Sequence, residues 1–143
     1  MELIPLDDAG RLFLSADPDE WTAIAAADIR VVIDLDGCPD TCVPTTPDGI
    51  LFVYFPFSDA ELPNLDRLHA VARLGATLIA RGQKVLSHCG LGYNRSALVA
   101  GLILRYLGAS GPEAVARLRE RRPGALYNRK YAEYVAGCEL RPA

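Results

Sequence analysis

The chain has 143 residues, half of them hydrophobic, 23% charged and with a net charge of −3. That size suits one domain with a real core, expected here over residues 1–143, and the charge excludes the electrostatic footprint of a nucleic-acid binder. No run approaches the ~18 apolar residues of a membrane span.

In chain order, "RLFLS" (11–15) predicts a first short strand. "DPDEW" (17–21) predicts a helix start, with Asp17 as N-cap, Pro18 at the first helical position and Glu20 three residues after the cap. That helix is expected to run to about Asp28. "RVVIDL" (30–35) is a β-branched apolar run, as in a strand buried on both faces. "DGCPDTCVPTTPDG" (36–49) is a loop by its Gly, Pro, Asp and Thr content, and "ILFVYFPF" (50–57) is the next strand.

Between Asn64 and Arg81, Leu65, Leu68, Ala72, Ala76 and Ile79 recur at helical spacing, which predicts an amphipathic helix with His69 on its surface. "KVLSH" (84–88) is a short strand, and residues 95–107 are apolar nearly all round, as in a buried helix. Ser110 and Glu113 form a capping box for a helix ending near Arg121, and a last helix runs from about Asn128 to Gly137. Strands alternating with helices predict a three-layer α/β fold with a central, mostly parallel sheet of four to five strands flanked by helices. Ligands of such sheets bind beyond the carboxyl ends of the strands, where the strand at 84–88 delivers His88 and Cys89.

The loop from Cys89 to Arg95 is therefore the candidate site. Gly90, Leu91, Gly92, Tyr93 and Asn94 make a tight turn whose backbone N–H groups can point inward as an anion nest. The helix that follows adds its free N–H groups and positive dipole end, and Arg95 adds a planar fork for two oxygens of a phosphate or sulfate. A field that holds an anion also favours a thiolate, which places a nucleophile at Cys89. Ser96 is positioned to donate its hydroxyl to that sulfur. No Gly-Lys-Ser/Thr closes the loop, so it is not a Walker loop.

"HCGLGYNRS" (88–96) matches the His-Cys-x5-Arg-Ser/Thr signature, and the chain resembles the cysteine-dependent protein phosphatases, in particular their small dual-specificity branch. "RLFLSADPDEW", "IRVVIDL" and "AVARLRERRPGALYNRKY" resemble that branch's opening strand and helix, next strand and closing segment, over roughly residues 10–135. The resemblance implies metal-independent and cofactor-free hydrolysis of phosphate monoesters on phospho-Tyr or phospho-Ser/Thr. Cys89 would form a phosphocysteine, Arg95 would bind the equatorial oxygens and a carboxylic acid would protonate the leaving oxygen.

The family places that acid about 30 residues before the cysteine, which selects Asp59 in "FPFSDAELPNLD". Glu61, Asp66, Asp34 and Asp36 are the alternatives. Asp66 falls on the helix face, and Asp34 and Asp36 serve loop hydrogen bonds or border the pocket. His88 points away from Cys89 on the strand and is expected to orient the loop by hydrogen bonding. Arg119, Arg122 and Asn128 are expected as structural supports, and Tyr93 as an aromatic lip.

Asn94 departs from the Gly or Ser common before the arginine. Asn occurs there in RNA 5′-triphosphatase relatives, but the basic groove expected for RNA is missing. The loop 90–94 lacks the Lys and Arg typical of phosphoinositide phosphatases. The expected partner is a phosphorylated protein or small phosphate ester, with no membrane and no nucleic acid. A pseudophosphatase that only recognises phosphate is the competing reading, and a rhodanese-like sulfurtransferase would need no general acid.

Cys38 and Cys42 lack the further Cys/His ligands of a zinc site, and a disulfide between Cys89 and one of them is a minor alternative. Cys138 reads as packing or surface. "MELIPLDDAG" has acidic residues and no basic n-region, so no export signal and a reducing cytoplasmic setting are expected.

Overall fold

The computed structural model describes residues 2–45 and 49–142. Residues 46–48 of the expected loop at 36–49 lie outside the described residues.

Among the described residues five strands form one sheet: β1 (Ile4–Pro5), β2 (Leu12–Ser15), β3 (Val31–Asp34), β4 (Leu51–Tyr54) and β5 (Val85–His88), in the order β1-β2-β5-β3-β4. The β1–β2 pairing is antiparallel and the other three pairings of these strands are parallel. The helices are α1 (Thr22–Ala26), α2 (Leu65–Ala80), α3 (Arg95–Tyr106), α4 (Gly111–Arg121) and α5 (Arg129–Gly137).

β5 is central because its residues can be buried on both sides, and Val85, Leu86, Ser87 and His88 all are. Its period-two alternation divides the core. Val85 joins Leu12, Leu14, Val31 and Ile33 against α2–α5, whereas Leu86 joins Val32, Ile24 and Ile29 on the face that α1 covers. Helix α3 is buried from Ser96 to Leu104, as its unbroken apolar run requires. Burial of each such Leu or Ile contributes about 1.5–3 kcal/mol. The predicted capping box opens α4, with Ser110 and Glu113 bonded reciprocally.

Four expectations change. The two-residue strand β1 was not anticipated. The strand expected at 50–57 pairs only over Leu51–Tyr54, because Phe55 and Phe57 turn to pack near α5. The helix expected from Asp17 begins at Thr22, with Trp21 at its N-cap and no side-chain cap. Asp17 is instead drawn to the site: its N–H donates to Gly90 O at 3.4 Å. His69 is not on the surface. It is buried between Tyr106 and Tyr134, its ring nitrogens 2.7 and 2.6 Å from their hydroxyls. Packing of α2 against α3 brings that helix face inward.

Candidate active site

The parallel registers bring Ser15, Asp34 and His88 side by side at the carboxyl edge of β2, β3 and β5. Cys89 follows immediately and α3 begins six residues later. A short strand, a glycine-bearing loop and a buried helix thus hold the turn from both ends.

Cys89 is buried, with Sγ 3.3 Å from Ser96 Oγ and accepting from Gly92 N–H at 3.3 Å. Ser96 is itself buried, and its carbonyl accepts from Ser87 Oγ at 3.0 Å. Gly92 has φ 78°, and a Cβ there would lie 2.9 Å from the Ser15 carbonyl carbon. Glycine is required on both counts, and this turn aims the Gly92 N–H at the sulfur.

Arg95 reaches across the site rather than along α3. Its Nη1 donates to Phe57 O at 3.1 Å and Leu35 O at 3.4 Å and lies 3.5 Å from Asp36 Oδ1. The loops after β3 and β4 therefore orient the guanidinium beside the turn. Leu91 is exposed, while Tyr93 is half-buried beneath Arg122, whose guanidinium carbon stands 4.0 Å from the ring centroid. Arg122 also donates to Leu91 O at 3.0 Å, and Arg119 supports the carbonyls of Ala125 and Leu126. Leu126 takes φ 60° and donates its N–H to Tyr93 O at 2.8 Å, which ties the closing segment to the turn.

Asp59 stands exposed at the mouth of the turn. Its Oδ2 accepts from Asn94 Nδ2 at 2.8 Å and its Oδ1 from Asn128 Nδ2 at 3.0 Å. Asn128 N–H donates to Asn94 Oδ1 at 2.9 Å, which closes a three-residue ring of hydrogen bonds. Asn94 occupies the N-cap position of α3 without capping it, because its amide is spent on this ring. Asn128 does cap α5. The buried Tyr131 hydroxyl lies 2.9 Å from Ser58 O, fixing the preceding residue. Burial, with the Asp59 charge adding to it, pushes that phenol up to about 12.

The other carboxylates are placed elsewhere. Glu61 pairs with Lys130 and Asp66 with Arg141. Asp34 is fully buried and accepts from the backbone of Asp36 and Asp40, the loop role expected of it. Asp36 borders the site against Arg95.

Behind Cys89, on the α1 side of the sheet, a group appears that the sequence did not flag. His88 Nε2 lies 2.6 Å from Asp40 Oδ2, 3.9 Å from Asp34 Oδ1, and Nδ1 lies 3.5 Å from Asp17 Oδ1. Burial, then a hydrogen bond and the charge of Asp36, push Asp17 up to about 6. Asp36 is held low, first by that bond from Asp17, with Gly37 N–H and Arg95 assisting against burial. Burial raises Asp40 against the opposing charge of His88. Asp17, Asp40 and His88 are the metal-donor group among the described residues. No sequence spacing links 17, 40 and 88; only the parallel register joins them.

Of the residues expected at the site, Cys89 through Ser96 and Asp59 come together, and His88 flanks them from the opposite face. Asn128, expected as a support, donates to the Asp59 carboxylate, and the placement of Asp17 and Asp40 beside His88 was not anticipated. Among the described residues no helix is long and apolar enough to cross a membrane.

A family model described as a polymorphic toxin system DSP-PTPase phosphatase matches residues 11–131. No curated protein matches the chain in sequence. Among solved structures, Tk-PTP in its active form is 30% identical with a TM-score of 0.73, over 92% of this chain and 91% of that one. Human DUSP28 is 20% identical with a TM-score of 0.77, over 93% and 89%. PTPMT1 is 20% identical with a TM-score of 0.74, over 94% and 91%. The last two likenesses concern the fold.

Proposed function

The chain belongs to the DSP-PTPase phosphatase family of polymorphic toxin systems, and from that premise we propose that it hydrolyses phosphate monoesters of protein side chains without a metal. The substrate oxyanion sits in the turn 89–95 against its inward N–H groups, the α3 N-terminus and Arg95. Cys89 attacks phosphorus as the thiolate, the P–O bond to the substrate breaks, and Asp59 transfers its proton to the departing oxygen. In the second step the Asp59 carboxylate removes a proton from water as its oxygen attacks phosphorus. The P–S bond then breaks, Ser96 donating to the sulfur that leaves with the electron pair. His88 keeps the strand end in place behind Cys89.

One observation carries this reading: the residue before Arg95, Asn94, is hydrogen-bonded to Asp59 at 2.8 Å. The acid is therefore tied to the same loop that holds the nucleophile. The same bond disfavours an RNA 5′-triphosphatase, since both ends of the Asn94 amide are committed to Asp59 and Asn128. A pseudophosphatase would leave the retained set of Cys89, Arg95 and Asp59 without a use.

The test is aryl-phosphate hydrolysis in EDTA. Turnover is expected there, and Cys89→Ser abolishes it while still binding tungstate. Activity that survives Cys89→Ser, or that requires a divalent metal, defeats the mechanism. A panel of phosphotyrosine peptide, phosphothreonine peptide and RNA 5′-triphosphate ranks the substrate classes, with the two peptides expected to be cleaved and the RNA not.

A further inference from the structure

His88 carries a polar atom that the fold leaves unsatisfied. Its side chain is fully buried and its Nδ1 has no hydrogen-bond partner among the described residues. Buried nitrogen atoms in this state are uncommon in native proteins and call for a reason. The other ring nitrogen, Nε2, is 2.6 Å from Asp40 Oδ2. An ionised carboxylate only accepts, so Nε2 carries the N–H, and in the neutral ring Nδ1 is left with its lone pair. Asp17 Oδ1 stands 3.5 Å from that nitrogen, outside hydrogen-bond geometry.

Two electron-rich atoms thus stand 3.5 Å apart, a separation suited to two ligands of one cation. Zinc bonds of about 2.0–2.2 Å in tetrahedral geometry place neighbouring donor atoms roughly 3.3 Å apart. A carboxylate on the far imidazole nitrogen is the arrangement that orients a metal-binding histidine and raises its basicity. The donor atoms of Asp17, Asp40 and His88 all lie within 4.8 Å of one another. The Asp17 side chain is 50% exposed, which opens the pair to solvent from one side and leaves room for water ligands.

We propose that His88 Nδ1 and the Asp17 carboxylate form a binding site for a zinc-class divalent cation on the α1 face of the sheet, with Asp40 holding the imidazole. The site is separate from the phosphate-binding turn but connected to it at two points. Asp17 N–H donates to Gly90 O at 3.4 Å, and Asp36, whose charge bears on the Asp17 carboxyl, lies 3.5 Å from Arg95. A cation that engages Asp17 therefore acts on both ends of the turn, as a regulator rather than a participant in hydrolysis.

The experiment is calorimetric titration of ZnCl2 into the full chain carrying Cys38→Ser, Cys42→Ser and Cys89→Ser, which removes the exposed thiols and the nucleophile. One zinc per chain is expected, with MgCl2 binding far more weakly because imidazole nitrogen is a poor magnesium ligand. Asp40→Asn in this background should weaken zinc by about 10- to 100-fold, and Asp17→Asn should abolish the binding. Since His88→Ala risks the core, the decisive variant is the half-exposed Asp17→Asn, accepted only if its metal-free urea midpoint is not below the parent's. No heat of zinc binding at millimolar metal would overturn the proposal and assign a proton to the gap instead. Zinc binding undiminished by Asp17→Asn would overturn it too. Every protein in this titration lacks Cys89, so the result is independent of whether the chain turns over phosphate esters.

Discussion

The chain contains two histidines, both buried, and they sit in opposite kinds of surroundings. His69 lies where α2, α3 and α5 meet, with each ring nitrogen on a neutral tyrosine hydroxyl and both tyrosine rings edge-on at 5.8 Å. Burial, reinforced by Arg141, Arg73 and Arg105, holds its pKa below the usual histidine range. His88 lies at the carboxyl edge of the sheet among Asp17, Asp34 and Asp40, with one nitrogen lacking a hydrogen-bond partner among the described residues. The first network is closed, so its polar groups add stability and specify the helix packing. The second is open, and open polar groups collect at the edge where a parallel sheet binds its ligands. Changes in the first region should therefore act on folding alone, and changes in the second on chemistry or ligand binding.

The largest effect belongs to the edge region. Asp59→Asn should lower kcat on a phosphate ester with a poor leaving group by about 100- to 10,000-fold, and far less on p-nitrophenyl phosphate, whose leaving group needs no proton. Its urea midpoint should match wild type because Asp59 is exposed. Equal losses on both substrates would move the acid to another residue. Next in size is His69→Phe, which keeps an aromatic ring but takes the hydrogen-bond partner from the Tyr134 hydroxyl. Unfolding free energy should fall by about 2–3 kcal/mol, read by urea denaturation, with kcat of the folded protein unchanged. A loss of kcat at full stability would break the division between the two regions.

The same division explains what could be read from the sequence. The turn 88–96 was legible because Cys89, the glycine-bearing loop and Arg95 are contiguous in the sequence. β3 and β5 were legible as apolar runs, and α4 as a capping box. Asp59 was selected only through the family's spacing. The environment of His69 was not legible: Tyr106 and Tyr134 are 37 and 65 residues away, and helical periodicity alone placed His69 outside. Asp17-Pro18 misled for a related reason. It carries every local sign of a helix start, yet the contacts of Asp17 with Gly90 and His88 are tertiary and take it out of the helix. Asn94 stood out in sequence as a departure from the family, but its use depends on Asn128, 34 residues on.

That asparagine provides the third test. Asn94→Ala removes one of the two amide donors that hold the Asp59 carboxylate. The acid stays present but loses its orientation, so kcat should drop by about tenfold, the equivalent of one ~1.4 kcal/mol hydrogen bond. Asn128→Ala should act similarly, and the double variant should lose less than the product of the two, because both changes disable the same carboxylate. The loss should again be larger for poor leaving groups. A uniform loss across leaving groups would mean that Asn94 shapes the turn rather than the acid.

The smallest effect is the pH dependence that the closed network contributes. His69 has a folded pKa below its unfolded value of 6.5, so the unfolded chain binds the extra proton first as pH falls. The stability that neutral His69 contributes is fully present above 6.5 and is lost as pH drops from there through the depressed folded value. Asp17 pulls the other way, since its raised value of about 6 favours the folded state at lower pH, so the wild-type curve alone is ambiguous. The difference between wild type and His69→Phe cancels the Asp17 contribution. It should be widest near pH 8 and narrow steadily below 6.5 in urea titrations run at each pH. A difference that stays constant from pH 8 to 5 would mean that His69 is not held neutral by the fold, and the contrast between the two histidines would lose its electrostatic half.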